Sequence, residues 1–230
     1  MKRVLCLALA FMLLPGCTQI KDTAHDVKPK AETTQNEQSA SAENWLPLFD
    51  GETLTGWSVP VYGGDGEVEV QEGKIVIGCG EMMTGIRYEK EFPAINYELR
   101  YEARRTGGYD FFAACTFPVK TDFCTFINGG WGGYAVGLSS INGYDASENE
   151  TSSSYEFNNN TWYRFRIRVS DEQIQVWIAP QNKSGDWDAE KLVVDLEMDD
   201  DKNLSTRFEV NLYKPLGFGS GMVLLIPPSH

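Results

Sequence analysis

The sequence predicts an all-β chain, a two-sheet antiparallel β-sandwich or jelly roll. Two stretches carry that prediction. In Asn96–Arg105, Tyr97, Leu99, Tyr101 and Ala103 fall on one side of an extended chain, with Glu98, Arg100, Glu102 and Arg104 on the other. In Trp162–Val169, Tyr163, Phe165, Ile167 and Val169 alternate with Arg164, Arg166 and Arg168. Successive side chains of a strand point to opposite faces, so a period of two marks a sheet with one buried and one wetted face. The third observation is the lack of a long amphipathic helical pattern. Short extended runs separated by turn residues fill the chain instead, as two packed sheets require.

The elements follow in order. Lys2 and Arg3 precede the apolar run Val4–Leu14, which is too short to span a bilayer as a stable anchor. Leu14-Pro15-Gly16-Cys17 resembles a bacterial lipobox. That resemblance implies a lipoprotein signal peptide over residues 1–16, lipidation of Cys17, and a place in the bacterial cell envelope. Thr18 after the cysteine, rather than Asp, implies the outer membrane, facing the periplasm or the surface. The other reading is an ordinary secretory signal cleaved nearby. Residues 17–44 hold no Phe, Tyr or Trp and are rich in Lys, Glu, Gln, Ser, Thr and Ala. Such a composition cannot offset its ordering entropy, and it predicts a disordered tether. Trp45 opens the folded domain, residues 45–230, which suit one core.

Within that domain, Leu48–Trp57 reads LFDGETLTGW: Asp50-Gly51 is a turn, and Leu48, Phe49, Leu54 and Trp57 are apolar anchors around it. Glu67–Gly78 predicts a hairpin about Glu72-Gly73-Lys74. Phe111–Phe117, Asp122–Asn128 and Tyr134–Ser139 predict further strands, and Ser170-Asp171-Glu172 joins Trp162–Val169 to another at Gln173–Ile178. Asp186–Lys191 predicts a helical turn before Leu192–Leu196. The Arg164/Arg166/Arg168 stripe is expected to pair across strands with Glu98 and Glu102.

The formal net charge of −13 argues against nucleic acid, whose phosphates demand a basic footprint. Of five cysteines, Cys6 and Cys17 fall to the signal and its lipidation. Cys115 and Cys124 flank Pro118–Thr121, so a hairpin centred there would set them opposite each other, within reach of a disulfide. Two buried thiols packed as small apolar groups fit the same residues. The only histidines are His25 and His230. No metal centre, no cofactor and no Ser-His-acid triad is therefore expected, and any hydrolysis rests on carboxylates.

Three groups of residues carry candidate chemistry. Asn142–Glu150 is dense in acid: Glu148 and Glu150 would share a face if extended, and Asp145 adds a third carboxylate. Glycosidic cleavage uses paired carboxylates, and close pairs raise one another's pKa. The same residues also suit a solvated acidic loop. In Phe126–Tyr134, four glycines bracket Trp131, whose indole would stack on a sugar ring while Asn128 bonds its hydroxyls. Trp131 turned into the core is the alternative. The third group is Arg87, Tyr88 and Asp110, with Arg87 orienting a hydroxyl or keto oxygen and Asp110 serving as a base; surface pairing is the plainer account of each.

LFDGETLTGW, the pair Trp162–Val169 and Gln173–Ile178, and Lys214-Pro215-Leu216-Gly217 together resemble the 3-keto-disaccharide hydrolase-like domain family, a concanavalin A-like jelly roll. The resemblance runs from Trp45 to about Phe218. Gly107–Pro118 lacks the family's Asn-Ser-Gly pattern, and Met222–His230 is a shorter, more apolar close, as in a divergent subgroup. The resemblance implies a saccharide ligand and a hydrolase whose substrate carries a keto group at carbon 3. There a carboxylate base starts elimination of the glycosidic oxygen, and the glycal is then hydrated. Glu148 or Glu150 is expected as base or acid, Asp145 in support, and Trp131 as the stacking platform. A non-catalytic glycan-binding module on a membrane tether is the alternative, and an envelope protein with a protein partner and no sugar ligand is a third.

Overall fold

The computed structural model describes residues 1–5, 45–81, 83–221 and 224–226. Its strands are β1 (Lys2–Leu5), β2 (Trp45–Leu46), β3 (Trp57–Ser58), β4 (Val68–Gln71), β5 (Lys74–Ile77), β6 (Thr84–Tyr88), β7 (Tyr97–Arg105) and β8 (Ala114–Val119). They continue with β9 (Asp122–Gly129), β10 (Ala135–Ser139), β11 (Ser153–Ser154), β12 (Tyr163–Val169), β13 (Gln173–Pro180), β14 (Lys191–Glu197), β15 (Leu216–Ser220) and β16 (Leu224–Ile226). Among the described residues they form two sheets. The first runs β14-β13-β12-β7-β16-β5-β4, with β1 beside β7 and β2; the second runs β11-β10-β9-β8-β15-β6-β3. This is the two-sheet antiparallel sandwich the alternation predicts. Among the described residues, the parallel pairings are those of β1 with β2 and β7.

The predicted inner faces meet in one core. Tyr97, Leu99, Tyr101 and Ala103 of β7, and Phe165, Ile167 and Val169 of β12, are buried. They face Cys115, Phe117, Phe126 and Phe218 of the second sheet. Tyr101 lies 4.9 Å from Phe165 in its own sheet and 4.8 Å from Phe218 in the other. The phenol groups also tie the layers together: Tyr97 donates to the Pro118 carbonyl at 2.8 Å, and Tyr101 to that of Ala113 at 3.2 Å. A buried hydroxyl needs such a partner, and here the opposite sheet supplies it.

The opening segment folds around its turn. The Asp50 carboxylate accepts from the backbone N–H of Glu52 and Thr53, each at 2.8 Å, and these bonds hold its carboxyl below the usual carboxylate range. Gly51 takes φ 83°, which a side chain would resist. Trp57 then turns inward, its indole N–H donating to the Leu48 carbonyl at 2.9 Å. On the outer face of the first sheet the arginine stripe pairs as expected: Arg164 with Glu102 at 2.6 Å, and Arg166 and Arg168 with the buried Glu98 at 3.1 and 2.8 Å. The stripe carries aromatics as well. Arg166 lies 3.8 Å from the Trp177 ring centre, and Arg164 4.2 Å from that of Trp187.

Four expectations need correction or placement. Asp186–Lys191 holds no helical turn, because the Asn182 side chain accepts from the N–H groups of Ser184 and Asp186 and folds a tight turn instead. The strand expected from Phe111 starts at Ala114, since Ala113 has φ 47° and breaks the extended run. Cys115 and Cys124 are free thiols, not a disulfide. The turn pairs Val119 with Asp122, which sets Cys115 opposite Phe126 and Cys124 opposite Phe117, so the thiols miss each other by two positions. Both face the core, where burial pushes the Cys115 thiol well up and that of Cys124 to about 12. Most of the expected signal and tether, Cys17 included, lies outside the described residues. The described Lys2–Leu5 run beside β7, with Arg3 3.4 Å from Glu98.

Candidate functional site

The site is built on the outer face of the second sheet, where the sequence places small residues. Alternation that sends Cys115, Phe117, Phe126 and Phe218 inward turns Ala114, Ile127 and Gly219 outward. A pocket of about 380 Å³ opens over β8 and β9. Ala114, Ile127 and Phe111 give it an apolar floor, Trp131 one wall, and Met83 and Val210 another. Its polar groups are Asp110, Arg207 and Glu209. An apolar cavity with a few convergent polar groups is the usual form of a small-ligand site.

Trp131 is the wall that the sequence singles out. It sits in the turn Gly130–Gly133 at φ 47°, ψ 51°, the left-handed region, and is 45% exposed. A side chain held there costs about 1–2 kcal/mol relative to the ordinary helical conformation. A large indole, strained and half out of the core, is poor packing but a good platform. The chain beneath needs its glycines. A Cβ on Gly133 would collide with the carbonyl oxygen of Tyr109, so the turn and the Tyr109–Asp110 segment lie backbone to backbone.

Asp110 is held by a buried arginine. Arg105, 4% exposed, donates from Nη1 to the Asp110 carbonyl at 2.8 Å, from Nη2 to that of Phe157 at 2.9 Å, and from Nε to Asn159 Oδ1 at 2.7 Å. Burial lowers its pKa, yet a guanidinium with three acceptors stays charged. The Asp110 carboxylate itself accepts from the Phe111 N–H at 2.8 Å.

Arg207 is a clamp. It pairs with Asp145 and, at 3.2 Å, with Glu209. These bonds raise the Arg207 pKa, and the hydrogen bond from Arg207 holds the Glu209 carboxyl below its usual range. The partner segments are pinned by backbone as well: Ser140 and Ser205 exchange N–H···O bonds at 2.7 and 3.0 Å, and Asn142 N donates to Asn203 at 2.8 Å. Asp145 also accepts from the Ser140 hydroxyl at 3.0 Å.

Of the residues singled out in the sequence, Trp131 and Asp110 line this pocket together, and Asp145 touches it through Arg207. The others stand elsewhere. Residues 147 to 150 form turns rather than an extended run, so Glu148 and Glu150 share no strand face; Glu148 is exposed, and Glu150 pairs with Lys202 at 2.6 Å. Asn128 is 0% exposed, its amide donating to the Phe112 carbonyl, because its place in the alternation points it at the core. Tyr88 is buried 5.0 Å from Trp57, and Arg87 pairs with Glu89 at 2.7 Å; neither lines the pocket. Sequence reasoning missed Arg207 and Glu209. Their only local signal is a pair of opposite charges flanking Phe208, an ordinary surface pattern.

A model of the 3-keto-alpha-glucoside-1,2-lyase-like domain matches residues 44–182. Among curated protein sequences none matches. Solved structures similar to this chain include one described as a glycosyl hydrolase from Parabacteroides distasonis, 11% identical over 79% of this chain and 90% of that one, with a TM-score of 0.45. Another is a carbohydrate esterase of the Shiga toxin-encoding bacteriophage phi24B, 14% identical over 76% and 89%, with a TM-score of 0.44. The Crh5 transglycosylase is 11% identical over 80% and 82%, with a TM-score of 0.42. The family match spans more than half of the chain, including the LFDGETLTGW opening and both of the strands from which the fold was read. The chain belongs to the 3-keto-alpha-glucoside-1,2-lyase-like domain family.

Proposed function

We propose that the protein is a carbohydrate-active enzyme of the bacterial envelope that cleaves 3-keto-glycosides, with Asp110 as the base. The observation that carries this reading is the meeting of Asp110, Arg207 and Trp131 in one apolar pocket. Glu148 and Glu150 are set aside as base or acid, since both stand outside it. A keto group at carbon 3 acidifies the hydrogen on carbon 2. Asp110 takes that proton, and the electron pair moves onto the keto oxygen, where the Arg207 charge offsets it. As the carbonyl re-forms, the pair shifts to the bond between carbons 1 and 2, the glycosidic oxygen leaves, and it takes up a proton. Water then adds across the new double bond. Trp131 stacks on the apolar face of the ring, and Asp145 with Glu209 fixes Arg207 in place.

A lipid on Cys17 and the tether over residues 17–44 would hold the domain at the membrane; the Leu14-Pro15-Gly16-Cys17 sequence supports this. Cys17→Ser is expected to shift the protein out of the membrane fraction.

A second reading has an observation of its own. Glu209 and Asp145 are both engaged by Arg207, as in a site that binds a glycan without turning it over. One experiment separates the two. The protein is incubated with 3-keto and ordinary disaccharides, and products are read by mass spectrometry alongside Trp fluorescence. Cleavage of the 3-keto compounds that Asp110→Asn abolishes supports the enzyme. Quenching without product supports the binding module, and neither signal with any sugar removes both.

A further inference from the structure

The floor of the pocket runs beyond the pocket. Ala114 stands opposite Gly219 in the sheet, and Gly219 opposite Gly85, so the same row continues across β15 and β6 as bare backbone. Gly217, two residues along β15, widens the patch. The ring of Tyr213 lies on it, brought there by the 3-10 segment Phe208–Tyr213. A Cβ on Gly219 would stand 2.7 Å from Tyr213 Cε2, one on Gly217 2.7 Å from its Cβ, and one on Gly85 2.6 Å from its hydroxyl. Only glycine at these positions admits the ring. Met83 marks the border: it lines the pocket, and its methyl would stand 2.9 Å from a Cβ on Gly219.

Tyr213 fills the patch by shape: it is 0% exposed, and three glycines lie under its ring. The Tyr62 ring packs 5.7 Å from it, and the two side chains interact through their hydroxyls. The pocket floor and the glycine patch under Tyr213 thus share one row of the sheet, with Met83 between them.

We propose that Tyr213 is a specificity-determining residue that closes the groove over β15 and β6, so that the site takes the end of a saccharide and not an internal segment of a longer chain. This rests on the reading of the pocket as a saccharide site. The open volume of about 380 Å³ lies at the small end of ligand pockets and suits about one or two sugar rings. A smaller side chain at Tyr213 opens a glycine-floored extension in line with that volume, where a further ring can lay its face on bare backbone.

The test measures binding of the glucose oligomers maltose to maltohexaose by Trp fluorescence, in the native chain, Tyr213→Phe and Tyr213→Ala. The native protein and Tyr213→Phe are expected to gain less than about twofold in affinity beyond maltose, and Tyr213→Ala about tenfold for the longer oligomers. Should Tyr213→Ala fail to fold, Tyr213→Leu leaves part of the opening and is expected to move the same way. A crystal structure of the smaller variant is expected to show the pocket running onto Gly219 and Gly85. Native affinity that climbs steadily with length overturns the inference alone, as does a folded smaller variant with the native length dependence. No binding of any oligomer by any of these proteins overturns this inference, and the saccharide reading then stands or falls on the 3-keto-disaccharide assay alone.

Discussion

Arg105 Nη1 donates to the carbonyl oxygen of Asp110 at 2.8 Å, so the carboxylate at the pocket is positioned from inside the sandwich rather than from the surface. The same guanidinium reaches Phe157 and Asn159, which ties the Gly107–Phe112 connection to the segment before β12. Arg105→Met removes all three bonds and leaves the buried Phe157 carbonyl and the part-buried Asp110 carbonyl without this donor. We expect a loss of about 2–4 kcal/mol in urea unfolding. Arg105→Lys keeps the charge and loses the fork, and is expected to lower saccharide turnover more than its smaller stability loss explains. Native turnover in Arg105→Lys would mean that Asp110 does not depend on this anchor.

Trp131 offers a test in which stability and function move apart. Glycine adopts the φ of 47° found there without strain. Trp131→Gly is expected to leave the melting temperature unchanged or slightly raised, while saccharide affinity falls about tenfold or more. A large loss of stability would show the indole to be a packing residue.

The three cysteines of the domain divide by environment. Cys115 and Cys124 are buried with raised pKa values, and Cys79 is exposed. A thiol reagent at mildly alkaline pH, followed by peptide mapping, is expected to modify Cys79 in the native protein and to reach Cys115 and Cys124 only in denaturant. Native modification of the buried pair, or a disulfide between them, would contradict the described packing.

The clamp on Arg207 should weaken in acid. Glu209 has a folded pKa below its ordinary 4.5, chiefly because Arg207 donates to it. A depressed carboxyl pKa contributes stability above the unfolded value, and that contribution is lost as pH falls through the folded pKa. Saccharide binding is therefore expected to weaken only as pH falls below the ordinary glutamate range, with the Glu209 carboxyl signal in NMR moving over the same range. In Glu209→Gln, affinity should lose that acid limb. An unchanged limb would place the titrating group elsewhere.

Much of the sandwich was legible because period-two alternation is a local property that burial enforces. Tyr97 to Ala103 and Tyr163 to Val169 had to face a core, and the arginines between them had to face water. The cysteine pair was harder, because register depends on where the turn falls: a shift of one residue in a hairpin decides which side chains meet. The site was legible only in part. Trp131 among its glycines stands out in one dimension, and Asp110 was visible as a lone acid after Gly107-Gly108. Arg207 and Glu209 reach the pocket from a segment roughly a hundred residues away in the chain, packed against Ser140 and Asn142 through backbone bonds that leave no side-chain pattern. The acidic cluster at Asp145–Glu150 is the opposite case. Its density is local, but a turn splays Glu148 and Glu150 outward, and only Asp145 comes near the pocket.

The most direct measurement compares two variants on one 3-keto-disaccharide. Asp110→Asn should lose turnover by about a hundredfold or more while still binding the sugar. The double variant Glu148→Gln, Glu150→Gln should cleave at the native rate, because its altered groups lie outside the pocket. Native cleavage by Asp110→Asn, with an inactive but folded double variant, would move the chemistry out of this pocket and back to the Asn142–Glu150 loop.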